Sequence, residues 1–216
     1  MALTACGTLR AKKINAKMME AATSSLEEEI LRYISQFTAL SDAESKGIIE
    51  SLHIQTFQKG TLLLREGQIS SLCYFVLKGC IRQYYLVDGE EKTTNFYTEG
   101  QPVTPYEGTF SRKPAKFYLS CVEDCALSVG TPEDEARLFE QFPQFKNVVR
   151  VAVEEELGKS QQLASSYVLN NPTERYRNLL KTRPDLLDRV PQYQLASFLG
   201  ITPESLSRIR RRVMAK

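Results

Sequence analysis

Between His53 and Gly130 glycine returns at Gly60, Gly67, Gly79, Gly89 and Gly100, and short aromatic and β-branched runs fill the gaps. These runs are Leu62–Leu64, Leu72–Leu77, Ile81–Val87, Thr93–Tyr97, Phe117–Val122 and Ala126–Val129. Strands this short, set about 8–12 residues apart between turn formers, are expected to close as an all-β barrel or roll. Asp88-Gly89, flanked by Tyr84–Val87 and Lys92–Tyr97, is a hairpin signal because a tight turn there needs φ > 0.

Helical patterns flank the β segment. Ser25 precedes Leu26-Glu27-Glu28-Glu29-Ile30-Leu31, with acids in a first turn and Ile30, Ile34 and Phe37 on one face. Ser41 and Glu44 have capping-box spacing and open a second short helix to about Leu52. Thr131-Pro132 starts another, with a cap and then proline at the first helical position. From Phe145 to about Leu169 the chain has no proline and one glycine, Gly158. Val149, Val153, Leu157, Ala164 and Tyr167 keep an apolar stripe, while Glu154, Glu155 and Glu156 mark a wet face. A helix of that length spans about 37 Å; it either lies along the β domain as a single covering helix or, as the narrow stripe favours, pairs with a second copy in a homodimer. Met1–Thr23 has no steady periodicity and reads as an extension.

Composition removes several chemistries. The 216 residues are 42% hydrophobic and 25% charged, the balance of an ordinary globular chain. They include one histidine, His53, and no tryptophan, which excludes a His-rich metal site and an HExxH protease. Neither GxxxxGK[ST] nor GxGxxG occurs, and no catalytic residue, metal site or cofactor is assigned. No apolar stretch reaches the ~18–20 residues of a membrane span. Cys6, Cys73, Cys80, Cys121 and Cys125 are odd in number, widely spread and without a CxxC pair. They read as reduced, mostly buried thiols of a cytoplasmic protein.

Charge is uneven along the chain. The total is +2, yet from Asn171 onward there are ten basic residues and four acidic ones. Within this end Gln192–Leu199 reads as a short helix, Gly200-Ile201-Thr202 as a turn, and Pro203 onward as a second helix capped by Thr202. Leu195, Leu199, Ile201, Leu206, Ile209 and Val213 supply the contacts of a helix-turn-helix. With Leu206, Ile209 and Val213 inward, Glu204, Ser205 and Arg208 are left to reach base edges in a major groove. Thr202, Arg210, Arg211 and Arg212 are assigned to phosphates.

The order of β-roll, long helix and helix-turn-helix resembles the Crp/Fnr family of transcription regulators. The resemblance covers residues 26 to 213. It rests on Leu63-Leu64-Arg65-Glu66-Gly67, on Tyr74–Gly79, and on Leu199 to Arg208. That last string, with Arg183-Pro184-Asp185-Leu186-Leu187 and Val190-Pro191-Gln192, is similar to a branch of the family common in the Bacteroidetes. The implied architecture is α+β: an extension over 1–25 and a cyclic nucleotide-binding-like β-roll (a double-stranded β-helix) with short helices over 26–142. A dimerisation helix over 143–169 and a winged helix-turn-helix domain over 170–216 complete it. A homodimer on a palindromic double-stranded DNA site and contact with RNA polymerase are implied by the resemblance, and no membrane partner is expected.

Family members that bind cyclic nucleotides hold the ribose with Gly-Glu and the phosphate with Arg-Ser or Arg-Thr. Alignment on Gly100 puts Thr104-Pro105 at the first pair, and alignment back from Glu123-Asp124-Cys125 puts Ala115-Lys116 at the second. Neither pair is kept, so cyclic AMP is not expected to bind in the usual way. Tyr106, Glu107, Arg112 and Lys116 remain as the candidate pocket for an unknown small-molecule effector. In a second reading the roll senses a cyclic nucleotide or other small molecule and controls a protein partner. That reading shares the roll and leaves the C-terminal string unexplained.

Overall fold

A computed structural model describes residues 26–28, 30–36, 39–105 and 112–214. The extension over 1–25, Phe37, Tyr106 and Glu107 lie outside the described residues. The chain divides into two compact units, Met1–Ser51 and Leu52–Lys216. In the first, residues 30–35 are helical and bury Ile30 and Ile34. Helix α1 (Asp42–Ser51) follows and buries Ile48. Its start is the expected capping box: Ser41 N–H donates to Glu44 at 2.8 Å, and Glu44 N–H donates to Ser41 Oγ at 3.3 Å.

Among the described residues the second unit opens with eight strands: β1 (Ile54–Phe57), β2 (Leu62–Leu64), β3 (Cys73–Lys78), β4 (Ile81–Val87), β5 (Glu90–Tyr97), β6 (Pro102–Val103), β7 (Tyr118–Cys121) and β8 (Cys125–Gly130). They form two four-stranded antiparallel sheets, ordered β1-β8-β3-β6 and β2-β7-β4-β5. Alternate side chains point to one face of a strand, and Leu64, Val76, Ile81, Leu119 and Leu127 meet in the core at 1% exposure or less. Asp88 and Gly89, with φ of 52° and 79°, join β4 to β5 as the expected two-residue turn.

Six helices follow: α2 (Pro132–Gln141), α3 (Phe145–Leu169), α4 (Pro172–Thr182), α5 (Leu186–Arg189), α6 (Gln192–Phe198) and α7 (Pro203–Met214). Thr131 and Asp134 make the capping box of α2. The start of α4 is capped by Asn171: its Oδ1 accepts from Thr173 and Glu174 N–H, and Glu174 Oε2 accepts from Asn171 N–H. The expected wing is not formed. Among the described residues every strand ends by Gly130, and 170–214 holds only helices and their connections. That segment is punctuated by helix caps and lacks alternating β-branched runs. No helix among the described residues is long and apolar enough to cross a membrane.

A second core joins the roll to the C-terminal helices. Cys80, Phe96 and Val122 of the roll pack with Tyr176, Leu186, Leu195 and Phe198. Phe96 meets Phe198 edge-on at 5.3 Å between centroids. Ser197 adds polar contacts to β5, the free edge of its sheet: Oγ accepts from Thr93 N–H and donates to the Glu91 carbonyl, both at 2.9 Å. Thus α6 is docked on the roll by apolar burial and by hydrogen bonds to edge groups that would otherwise need water.

Candidate nucleic-acid interface

The turn between α6 and α7 fixes how the last helix is presented. Gly200 has φ of 68°, a conformation that glycine adopts without a Cβ penalty. Its N–H reaches the Ser197 carbonyl and Ile201 N–H reaches the Ala196 carbonyl, both at 3.0 Å. This is a Schellman end to α6. Arg175 satisfies a further terminal carbonyl, donating from Nε and Nη2 to Leu199 O at 3.1 and 2.9 Å. Thr202 then caps α7, accepting from Ser205 N–H at 3.3 Å. Leu206 and Ile209 are buried and Val213 is half-buried against the core.

At about 100° per residue, Glu204, Arg208 and Arg211 face away from Leu206 and Ile209, and Arg212 and Ser205 continue that arc toward the Ile209 edge. Ser205 is half-buried, and the other four are exposed. Arg208 Nη2 donates to Ser205 Oγ at 3.1 Å, and Thr202 Oγ1 donates to the same oxygen at 3.2 Å. Thr202, Ser205 and Arg208 are therefore one connected group. The Glu204 carboxyl is held below its usual range by its own backbone N–H and by the Thr202 hydroxyl. Arg210 lies on the opposite flank and donates to Gln192 Oε1 at 2.5 Å. Gln192 stands at the first turn of α6, after Pro191, and that position places it beside the basic row.

Of the effector-pocket residues, Arg112 and Lys116 are described and both are exposed, Arg112 with φ of 50°. Ala115 is 3% exposed, and its backbone is consumed by the 67–68 turn through Ala115 N–H to Gln68 O and Gly67 N–H to Ala115 O. Pro105 is buried and offers no N–H. Cys80, Cys121 and Cys125 are buried, and burial pushes the Cys80 thiol up to about 12. Among the described residues no cluster of three His, Cys, Asp or Glu could hold a metal ion.

Helix α3 differs from the expected stripe at Tyr167. That hydroxyl donates to the Phe198 carbonyl, and the Arg175 guanidinium lies 5.1 Å from the ring centroid. Tyr167 therefore serves the chain's own C-terminal helices. Val153, Leu157 and Val168 remain as an exposed apolar ridge at 36%, 58% and 85% exposure.

Comparison with known proteins bears on the fold. The profile of the cyclic nucleotide-binding domain family matches residues 54–142. The chain is similar to the c-di-GMP-responsive global regulator CLP of Xanthomonas campestris at 19% identity and a TM-score of 0.62, over 79% of this chain and 92% of that one. A CooA variant from Carboxydothermus hydrogenoformans matches at 16% and 0.62, over 78% and 79% of the two chains. FixK2 from Bradyrhizobium japonicum matches at 16% and 0.61, over 76% and 85%. No curated protein matches the chain. These structural neighbours are Crp/Fnr-family regulators, and at such identities what is shared is the fold. Residues 54–142 thus match the cyclic nucleotide-binding domain family, in a chain that shares the fold of these regulators.

Proposed function

We propose that the chain is a cytoplasmic, non-enzymatic transcription regulator that binds a palindromic double-stranded DNA site as a homodimer. The observation that carries this reading is the arc of α7, where Glu204, Ser205, Arg208, Arg211 and Arg212 stand together while Leu206 and Ile209 anchor the helix. A helix of this kind fits a major groove, with its N-terminal side chains at base edges. Arg208 forks onto guanine O6 and N7, and Glu204 accepts from a cytosine amine. Arg211 and Arg212 neutralise phosphates, and Thr202 offers its hydroxyl to a phosphate beside the helix N-terminus. Arg210 reaches the backbone from the flank it shares with Gln192.

The apolar ridge of α3 supports the dimer, because Val153, Leu157 and Val168 stand exposed along one side. Residues 26–142 serve as the sensor, 143–169 as the dimerisation helix and 170–216 as the DNA-binding domain. Two recognition helices then enter successive major grooves about 34 Å apart. Contact with RNA polymerase follows from the resemblance. The buried Ala115 and the missing Pro105 N–H favour a roll that does not use the family's phosphate cassette for cyclic AMP. Incubating the protein with a genomic fragment pool and sequencing what is retained tests the reading. A shared, roughly palindromic motif is expected, and retention without any common motif overturns it.

A further inference from the structure

A cavity of about 240 Å³ lies where the roll, α3, α4 and α6 meet. It has room for a molecule of one or two rings. Leu163, Leu179, Phe198 and Leu199 give it apolar walls. One carboxylate, Glu156, faces it with three cations, Lys159, Arg175 and Arg183. Glu156 is already engaged: Gln101 Nε2 donates to one oxygen at 2.7 Å and Asn95 Nδ2 to the other at 3.4 Å. Arg175 gives its N–H groups to the Leu199 and Asn170 carbonyls. Arg183 Nη2 donates to Thr98 Oγ1 at 3.0 Å and its Nε lies 3.6 Å from Asp185 Oδ1, so the three cations face two carboxylates. The lining is therefore apolar with an excess of positive charge.

We propose that this cavity binds a small aromatic carboxylate, with its rings against Leu163, Leu179 and Phe198 and its anionic head toward Lys159 and Arg183. Neither Arg112 nor Lys116 lines it. It also lies off the ridge of α3: at about 100° per residue, Glu156, Lys159 and Leu163 fall to one side of Val153, Leu157 and Val168. Asn95 and Gln101 come from the roll, whereas Phe198 and Leu199 end the helix that carries the turn into α7. An occupant therefore touches both the sensor and the helix that positions α7. This coupling rests on the regulator reading above. Binding itself does not.

The test is calorimetric titration of the full chain, without DNA, using 1-naphthoate as the probe. The neutral 1-naphthalenemethanol and the cationic 1-naphthylmethylamine are the comparators. Saturable binding of naphthoate, at least tenfold tighter than either comparator, is expected. Lys159→Glu is expected to weaken it tenfold or more, and Leu163→Trp to abolish it by filling the cavity. Circular dichroism and melting of each variant show whether it is folded, and Ser160→Trp, at an exposed part of the lining, serves if Leu163→Trp is not. No saturable binding of naphthoate, equal binding of the amine, or unchanged binding to a folded cavity-filled variant overturns the proposal. Because DNA is absent, failure here leaves the regulator reading standing, and failure of DNA binding leaves this site standing.

Discussion

Arg189 holds Glu99 at two points, with Nη1 and Nη2 each donating to a separate carboxylate oxygen at 2.8 Å. Its Nε donates to Glu123 at 2.9 Å. Glu99 follows β5, Glu123 sits in the β7–β8 turn, and Arg189 ends α5. One guanidinium thus ties two turns of the roll to the C-terminal helices. Its fork is the reason arginine fits here and lysine does not.

Arg189→Ala is expected to lower stability by about 1–2 kcal/mol, since charge-assisted hydrogen bonds are worth ~1.5–3 kcal/mol before discount for partial exposure. Arg189→Lys should recover less than half of that. Urea unfolding measures both, and a loss below about 0.3 kcal/mol for the alanine variant would show that apolar burial alone docks the helices.

The same contact sets a pH dependence. Burial raises the Glu99 carboxyl, but hydrogen bonds from Arg189 and from Gly79 N–H outweigh it and leave the pKa below the usual 4.5. A depressed carboxylate contributes stability above its unfolded pKa and loses it as pH falls through the folded value. The stability difference between wild type and Arg189→Ala should therefore be constant near neutrality and shrink below about pH 4.5. Denaturant titrations at several pH values check this, and a difference that grows on acidification contradicts it.

Local rules made much of the fold legible. The Asp88-Gly89 hairpin, the Ser41/Glu44 and Thr131-Pro132 caps, and the Gly200 turn each depend on neighbours within a few residues. Strand β6, of two residues, is too short for alternation to announce. Asn171 is an N-cap by the rule that identified Ser41, yet Asn170–Thr173 reads from sequence as a break. The docking of α6 has no local signature: Ser197 meets Thr93 across 104 residues, and nothing around Ser197 marks it. Arg82 likewise reads as a polar strand position. It is 3% exposed because Thr93 Oγ1 accepts from its Nε at 2.9 Å and Glu91 pairs with its Nη1. At the candidate interface the arc of α7 follows from helical spacing alone. Arg210 is separated from its neighbours by a partner on another helix, which spacing within α7 does not reveal.

Specificity and affinity should separate by mutation. Arg208→Ala is expected to cost ~1–3 kcal/mol on the best site and to relax choice at one base position. Arg212→Ala should weaken all sequences alike and reduce the salt slope by about one. Anisotropy titrations on matched and mismatched duplexes compare them. Equal, sequence-blind losses from both would contradict the assigned roles.

The ridge of α3 should be needed for dimerisation and not for folding. Leu157 is 58% exposed, so Leu157→Glu is expected to leave the melting temperature of each protomer almost unchanged and to shift the chain to monomer. Sedimentation equilibrium reads the mass. An unchanged dimer places the interface elsewhere.

Cyclic AMP should leave the melting temperature where it is, because a ligand that binds only the native state raises it and Ala115 gives the phosphate no cation. Thermal shift at millimolar nucleotide is sufficient, and a clear rise would show that other residues of the roll bind the phosphate.

The most direct test of the central claim is the ratio of affinities for a selected palindromic duplex and for a scrambled one of equal length, at physiological salt. A ratio of about 10³ or more is expected of a specific regulator, falling sharply for Arg208→Ala. A ratio near one, unchanged by Arg208→Ala, would contradict the account.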